Sequence, residues 1–342
     1  MNLKELSYRL GLSPTTVSRA LGGYPEVNAE TRLRVSDAAV RFGYQPNKRA
    51  RALATGRSFN IGHVLTASNK NQLVNPIFGD FVAGVTETSG ALGYSLSLTV
   101  TEADLEESVF RRLKSEGAVD GIVLQAPRMN DGRIDLLRKI GMPFVVHGRA
   151  TSVVTPYAWV DVNNKRAFER AALFLLDLGH EKIGLVNGDE TMDFAYRRRV
   201  GFESALAARG FAPRPKYLSR GEMTEGNGYE AVRRMLELAD PPTAFLLSSV
   251  ISAVGARRAV QEAGLTLGRE VSLIAYDDDL SYLSNRQDVP IFTAVRSSVR
   301  EAGRQIAQIL VDQIAAPNGA PQHALLEAEL VVGTSTGPVM RS

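Results

Sequence analysis

The chain contains no cysteine, which excludes disulfides, thiol nucleophiles and metal sites built on cysteine pairs. Aromatic residues make up only 7% of its 342 positions, with Trp159 the single tryptophan. The four histidines, His63, His147, His180 and His323, are scattered, with no HExxH or comparable metal-ligand spacing. A Walker-type phosphate loop is missing, and the glycine-rich stretch from Gly221 to Gly228 follows no nucleotide-binding pattern. Apolar runs stay well below the roughly 18 residues of a membrane span. The opening stretch MNLKELSYRLGLS lacks the charged, apolar and cleavage regions of a secretory signal. The expectation is a soluble cytoplasmic protein that is not an enzyme, binds no cofactor and touches no membrane.

What the chain does have is charge segregated by position. Residues 1–57 carry ten Lys or Arg against four Asp or Glu, a net of +6, whereas the remaining 285 carry thirty against thirty-three, a net of −3. A basic head on a nearly neutral body is the electrostatic footprint of a polyanionic partner, most simply double-stranded DNA.

The head has the spacing of three short helices. Asn2 with Glu5 forms a capping-box start, and Leu3, Leu6 and Leu10 recur at helical intervals until Gly11. Ser13 is a good N-cap, Pro14 sits where a first-turn proline loses no hydrogen bond, and Thr15 to Leu21 continue the turn. A third helix fits Ala29 to Arg41, capped by Asn28, with Val35, Ala38, Ala39 and Phe42 on one face. Such a tight helical pair followed by a third helix is the anatomy of a small DNA-reading module; a helical cap with a solvated basic face is the plainer alternative.

Three linked stretches decide between them: LSPTTVSRALGG, then VNAETRLRV, then FGYQPNKRARALATGR. Together they closely resemble the lactose-repressor (LacI/GalR) family of bacterial transcription regulators. The resemblance implies that Ser13, Pro14, Thr15, Thr16, Ser18 and Arg19 lie on the helix entering the major groove, with Pro14 and Thr15 at its main sequence-reading positions. Proline has no donor to offer a base edge, so an apolar contact such as one with a thymine methyl is its physical option. Val17, Ala20 and Leu21 read as core. Tyr44 belongs to the Gly-Tyr-x-Pro-Asn motif that follows. Gly22 departs from the pattern, since the family usually carries asparagine there, and a backbone-positioning side chain is lost.

From Pro46 to Gly56 the chain is basic, with Leu53 its one large apolar residue. By itself this reads as a charged linker. By resemblance it is a hinge helix that forms against its dimer mate on DNA, with Leu53 wedging into the minor groove and Asn47 and Arg51 near the backbone.

Beyond residue 60, short apolar runs alternate with amphipathic stretches. Strands are expected at Ile61 to Thr66, Ser95 to Val100, Gly121 to Gln125, Phe144 to His147, Ile183 to Asn187, Ala244 to Ser248 and Ser272 to Tyr276. Helices are expected between them, for example at Phe78 to Leu92, Arg197 to Arg209 and Val299 to Ala315. This alternation predicts doubly wound parallel sheets in two lobes. The resemblance extends through Asn75-Pro76-Ile77-Phe78, Val119-Asp120-Gly121, Leu178-Gly179-His180, Pro242-Thr243-Ala244 and Ala275-Tyr276-Asp277-Asp278.

It implies a small all-α helix-turn-helix head (1–45), a hinge (46–58) and an α/β body like the periplasmic sugar-binding proteins (59–342). The body's N-lobe would span about 59–159 and 292–321 and its C-lobe about 160–290 and 322–342, with crossing strands near 158–162, 289–292 and 320–324. A small effector, by resemblance a sugar, would lie between the lobes of each subunit of a homodimer bound to an operator.

Within that cleft the resemblance assigns effector contact to Arg198 and Asp277, a planar multi-donor group and a carboxylate acceptor suited to hydroxyls. An interlobe salt bridge between them is the alternative. Asp278 reads as support for the following loop. Ser249 stands where relatives often show asparagine, and Ser297 where glutamine is common, so effector identity is not inherited. Trp159 near the first crossover could stack on a sugar face or fill interlobe core, and Phe78 is a candidate of the same kind. The head also looks like that of the branch regulating α-glucoside uptake and use. A transport solute-binding protein and a sugar-active enzyme are the rival classes; the basic head opposes the first and the lack of a nucleophile or acid/base pair the second.

Overall fold

The computed structural model describes residues 1–22, 24–44, 55–66, 72–285 and 288–340. It divides into two compact units, Met1–Phe59 and Asn60–Ser342. Asn47, Arg51 and Leu53 lie outside the described residues.

In the head, α1 (Leu3–Leu10), α2 (Pro14–Leu21) and α3 (Ala29–Arg41) form where the caps predict. Asn2 and Glu5 complete a reciprocal capping box, and Gly11 ends α1 in the left-handed region at φ 65°. Ser13 Oγ accepts from Thr16 N at 3.0 Å, and Asn28 Oδ1 from Thr31 N at 2.7 Å. Leu6, Val17, Ala20, Val27, Val35, Ala38 and Ala39 meet in one small core. Val17 and Ala20 thus hold α2 from behind and leave its other face to solvent.

The body contains two sheets of six strands each. The first holds β1 (Asn60–Thr66), β2 (Ser95–Thr101), β3 (Gly121–Gln125), β4 (Phe144–His147), β5 (Ala158–Val162) and β11 (His323–Leu326), in the order β2-β1-β3-β4-β5-β11. The second holds β6 (Ile183–Asn187), β7 (Leu218–Arg220), β8 (Ala244–Leu247), β9 (Ser272–Asp277), β10 (Thr293–Arg296) and β12 (Glu329–Val331), in the order β7-β6-β8-β9-β10-β12. All pairings are parallel except β12 on β10. Both sheets repeat the doubly wound order that reverses between its first and third strands, where ligands settle at the carboxyl ends.

The helices are α4 (Pro76–Ala91), α5 (Glu106–Ser115), α6 (Gly132–Lys139), α7 (Asn164–Asp177), α8 (Asp193–Ala208), α9 (Glu225–Leu236), α10 (Val250–Glu262) and α11 (Val299–Ala315). Two close crossings position the functional residues. A Cβ on Gly84 of α4 would lie 2.0 Å from Arg300 O of α11, and one on Gly201 of α8 would lie 2.0 Å from Lys165 O of α7. Glycine lets each helix pair approach backbone to backbone, which brings Asn164 and Arg198 into hydrogen-bonding range.

The chain passes between sheets after β5, between β10 and α11, and between β11 and β12. These passages fall at 162–164, 296–299 and 326–329, a few residues beyond the crossing positions read from the sequence. β5, β10 and β11 complete their pairing before the chain leaves its sheet.

Candidate functional site

The exposed face of α2 carries Pro14, Thr15, Ser18 and Arg19. Ser13 and Thr16 also lie on this side, but their hydroxyls engage one another at 2.8 Å and serve the cap. The free donors and acceptors of the face are therefore Thr15, Ser18 and Arg19. Behind it, Arg32 donates to Tyr24 O at 3.2 Å and Val27 O at 3.0 Å, and Arg34 to Leu10 O. Those bonds tie α3 to the preceding loop and to the end of α1. Tyr44 is half-buried against the head's core, and burial raises its phenol pKa.

In the body, a cavity of about 600 Å³ lies where the carboxyl ends of both sheets face each other. Its first-sheet wall comes from Asn75 and Phe78 at the start of α4, Gln125 at the end of β3, and His147 at the end of β4. Its second-sheet wall includes Phe194 and Arg198 of α8, Tyr276 and Asp278 at the end of β9, and Ser297 after β10. Asp161 and Asn164 line it beside the first passage between sheets.

Arg198 is the most constrained of these groups. Its Nε donates to Asn164 Oδ1 at 2.8 Å and its Nη1 to Ser248 O at 2.7 Å. The guanidinium carbon sits 3.8 Å from the centre of the Tyr276 ring, with Phe194 at 5.0 Å and Phe168 at 5.2 Å. Burial lowers the Arg198 pKa, with Tyr276 and Asp278 opposing. Asn164 in turn donates to Asp161 Oδ1 at 3.3 Å and Val162 O at 3.0 Å, and Asp161 accepts from Arg149 Nε at 2.7 Å. A chain of directed bonds thus fixes the guanidinium before any ligand arrives.

Burial pushes the Asp278 carboxyl up to about 7, against the pull of Arg198 and with help from Asp277. Asp161 is likewise raised by burial, with Arg149 opposing. On the opposite wall, burial holds His147 down at about 4, and His63 behind it at about 3. His147 stacks on Phe81 at 4.7 Å, and His63 meets the edge of Phe78 at 5.6 Å. The Gln125 amide approaches His147 Nδ1 at 3.5 Å, while its buried Oε1 has no hydrogen-bond partner among the described residues. That oxygen is an acceptor awaiting a donor.

Of the residues singled out from sequence, the structure brings Arg198 and Phe78 together in the cavity wall and sets three elsewhere. Asp277 lies one residue from the lining pair Tyr276 and Asp278, and strand alternation turns it to the other side. There its Oδ1 accepts from Asp279 N at 2.9 Å. Ser249 is buried as the N-cap of α10, accepting from Ile251 N at 3.1 Å. Trp159 packs beside the first-sheet core, with Arg149 over its ring at 4.9 Å and His323 at 5.0 Å. Gln125, His147, Asp161, Asn164 and Asp278 enter the wall without having been singled out as ligand contacts. The position of each at or just beyond a strand's carboxyl end was the available signal.

Residues 2–47 match the model of bacterial regulatory proteins of the lacI family, and residues 172–336 match a periplasmic binding protein-like domain. The chain is 44% identical over 339 residues to the HTH-type transcriptional regulator AglR of Rhizobium meliloti (strain 1021), covering 99% of this chain and 95% of the relative. It is 33% identical over 330 residues to the HTH-type transcriptional regulator RafR of Escherichia coli, covering 95% and 94%. A solved complex of the transcriptional regulator CelR with cellobiose aligns with a TM-score of 0.72 at 26% identity, covering 98% of this chain and 99% of that one. The lac repressor dimer bound to operator and the anti-inducer ONPF shares the fold, with a TM-score of 0.78 at 24% identity and coverage of 98% and 99%. With residues 2–47 matching the lacI-family model and a transcriptional regulator 44% identical over 339 residues, the chain belongs to the lacI family of bacterial transcriptional regulators.

Proposed function

We propose that the chain is a repressor of sugar-utilisation genes that binds an inverted-repeat operator as a homodimer. Its operator affinity is set by a small sugar held between the two sheets of the body, and an α-glucoside is the favoured effector. It acts in the cytoplasm, where its DNA is. The observation that carries this reading is the pairing in one chain of an exposed α2 face with a cavity built around a pre-oriented guanidinium. About 600 Å³ is a volume within the range of sites that enclose ligands of drug size, which a disaccharide approaches. Aromatic rings at Phe78, Phe194 and Tyr276 suit the C–H faces of a sugar, and Arg198, Asn164, Asp161, Asp278 and Gln125 offer donors and acceptors to its hydroxyls.

In the head, Pro14, Thr15, Ser18 and Arg19 read the major groove, and two copies give the operator its symmetry. By the family resemblance, Asn47, Arg51 and Leu53 form the hinge that opens the operator's centre. Bound sugar acts by favouring one arrangement of the lobes over another, since only unequal affinity shifts such an equilibrium.

Selection of binding sites from a random duplex pool, followed by titration of the selected duplex with α-glucosides, tests the proposal. An inverted repeat whose affinity changes at least tenfold with one sugar is the expected result. Recovery of no symmetric site, or of one indifferent to every sugar, contradicts it.

A further inference from the structure

Resting on the reading that the cavity holds a sugar, we propose that Arg149 is a positioning residue for effector recognition: from outside the cavity it orients Arg198 through Asp161 and Asn164, and it carries the occupancy of the site to Trp159. Asp161, Asn164 and Arg198 line the cavity, whereas Arg149 and Trp159 lie outside its lining. The bonds that join them run without a break. Arg149 Nε donates to Asp161 Oδ2 at 2.7 Å, Asn164 Nδ2 to Asp161 Oδ1 at 3.3 Å, and Arg198 Nε to Asn164 Oδ1 at 2.8 Å. At the far end, the Arg149 guanidinium carbon sits 4.9 Å from the centre of the Trp159 ring.

The chemistry of each link sets the orientation of the next. An amide side chain can turn either its oxygen or its nitrogen toward a neighbour. Arg198 only donates, so it needs the Asn164 oxygen; an ionised carboxylate only accepts, so Asp161 needs the Asn164 nitrogen. One orientation of the amide meets both requirements, and Val162 O, accepting from Asn164 Nδ2 at 3.0 Å, reinforces it. The arrangement depends on Asp161 being ionised although it is buried. Burial raises its pKa, and Arg149 is foremost among the groups that oppose that rise. Without Arg149 the carboxylate is left uncompensated and takes up a proton more readily. A protonated Asp161 can donate, and the Asn164 amide can then turn its oxygen to the carboxyl and its nitrogen to Arg198, donor against donor.

Arg149 also joins the site to the strands that lead out of the first sheet. Trp159 and Asp161 are two apart on β5, so their side chains leave the same face of the strand, and Arg149 contacts both. Trp159 stands opposite His323 in the register of β5 with β11, their ring centres 5.0 Å apart. Each of these strands leads directly into a passage between the sheets. A shift of Arg198 on a bound sugar is thereby passed to the crossing strands, and the single tryptophan of the chain sits where that shift moves the cation over its ring.

The experiment uses the full chain, with maltose, sucrose and trehalose as probes, calorimetry for affinity and tryptophan emission for the relay. For a sugar that binds the parent, Arg149→Met should weaken binding about tenfold or more, the scale of one lost charge-assisted bond. Arg149→Lys, which keeps a cation beside Asp161, should stay within a few-fold of the parent. Arg149→Met combined with Arg198→Lys should bind little more weakly than Arg198→Lys alone, because both changes break one chain. Saturating sugar should shift the emission of the parent but not that of Arg149→Met, and operator affinity without sugar should stay within a few-fold in both Arg149 variants. A methionine variant that binds as tightly as the parent, a lysine variant no better than the methionine one, or losses that add in the double variant each overturn the positioning role. Parent emission indifferent to saturating sugar overturns the relay and requires no variant to fold; a shift retained in Arg149→Met overturns it as well. If none of the sugars binds to a chain that still binds its operator, the sugar reading itself fails, and this proposal with it.

Discussion

Asp80 holds Ser281 with both carboxylate oxygens: Oδ2 accepts from the Ser281 backbone N–H at 2.8 Å and Oδ1 from its hydroxyl at 2.7 Å. Asp80 belongs to α4, which packs on α11 and the first sheet, whereas Ser281 lies in the loop that follows β9 of the second. Phe78 and Asp278, which line the cavity, stand two and three residues away from them. One buried carboxylate therefore ties the two sides of the cleft close to the proposed effector site, with Arg300 at 3.8 Å offsetting its charge.

Ser281→Ala removes one of the two bonds and should lower stability to chemical denaturation by about 1 kcal/mol. It should also alter the sugar concentration that half-saturates the operator response, because the tie is lost in one lobe arrangement only if the lobes move. An unchanged denaturation midpoint and an unchanged response would show that the contact neither stabilises nor couples.

Arg198→Lys keeps the charge but cannot reproduce the planar fork that bonds Asn164 and Ser248 while lying on Tyr276. Sugar affinity should fall by at least about 100-fold, a loss of about 3 kcal/mol. Affinity for operator in the absence of sugar should remain within a few-fold of the parent. Calorimetry on the sugar and fluorescence anisotropy on the operator separate the two, and retained sugar affinity would remove Arg198 from the site.

For Asp278, linkage fixes the sign of a pH effect. Its folded-state pKa of about 7 lies above the ordinary aspartate value of 3.8, so between these values the folded protein binds more protons than the unfolded chain. The cost is absent below pH 4 and grows as pH rises through 7, on the order of 1 kcal/mol for each unit of pKa difference. Asp278→Asn should therefore melt close to the parent at pH 4.5 and above it at pH 8. A Tm difference that does not change with pH would show that the carboxyl titrates normally.

In the head, the Ser13 cap and the exposed Thr15 make separable predictions. Ser13→Ala deletes the acceptor for Thr16 N and should destabilise the head by about 1 kcal/mol, weakening all duplexes alike. Thr15→Ala leaves the fold intact and should relax discrimination at one base pair in each half-site by about 1–3 kcal/mol. Melting curves and binding to single-base operator variants distinguish these outcomes, and an unaltered base preference in the second variant would exclude Thr15 from sequence reading.

The head was legible because its caps are local: Asn2 with Glu5, Ser13 and Asn28 each mark a helix start in the chain itself, and the structure uses all three. Strands β3, β4 and β6 announced themselves as apolar runs bounded by turns, since they are buried on both faces. Helix α6 did not, having only Ile134 and Leu137 buried and opening on Gly132. β7, three residues at a sheet edge, carries too little pattern to stand out. Within the cleft, family resemblance pointed to Asp277, while the phase of β9 presents Tyr276 and Asp278. Motif matching identifies the strand end, but which neighbour faces the ligand depends on one residue of strand phase. Trp159 illustrates the same limit: a lone tryptophan beside a crossover is a natural stacking candidate, yet its strand turns it toward Arg149 and His323.

In the proposed function one molecule links sugar binding between the sheets to DNA binding by the head, and linkage between two ligands is reciprocal. The most direct measurement is therefore calorimetric titration of an α-glucoside, such as maltose or sucrose, into the free protein and into its operator complex. The ratio of the two dissociation constants is then compared with the change that sugar makes in operator affinity. A ratio of at least about tenfold, equal in both directions, is the predicted result. Equal sugar affinity for free and operator-bound protein would show that the two sites are not linked.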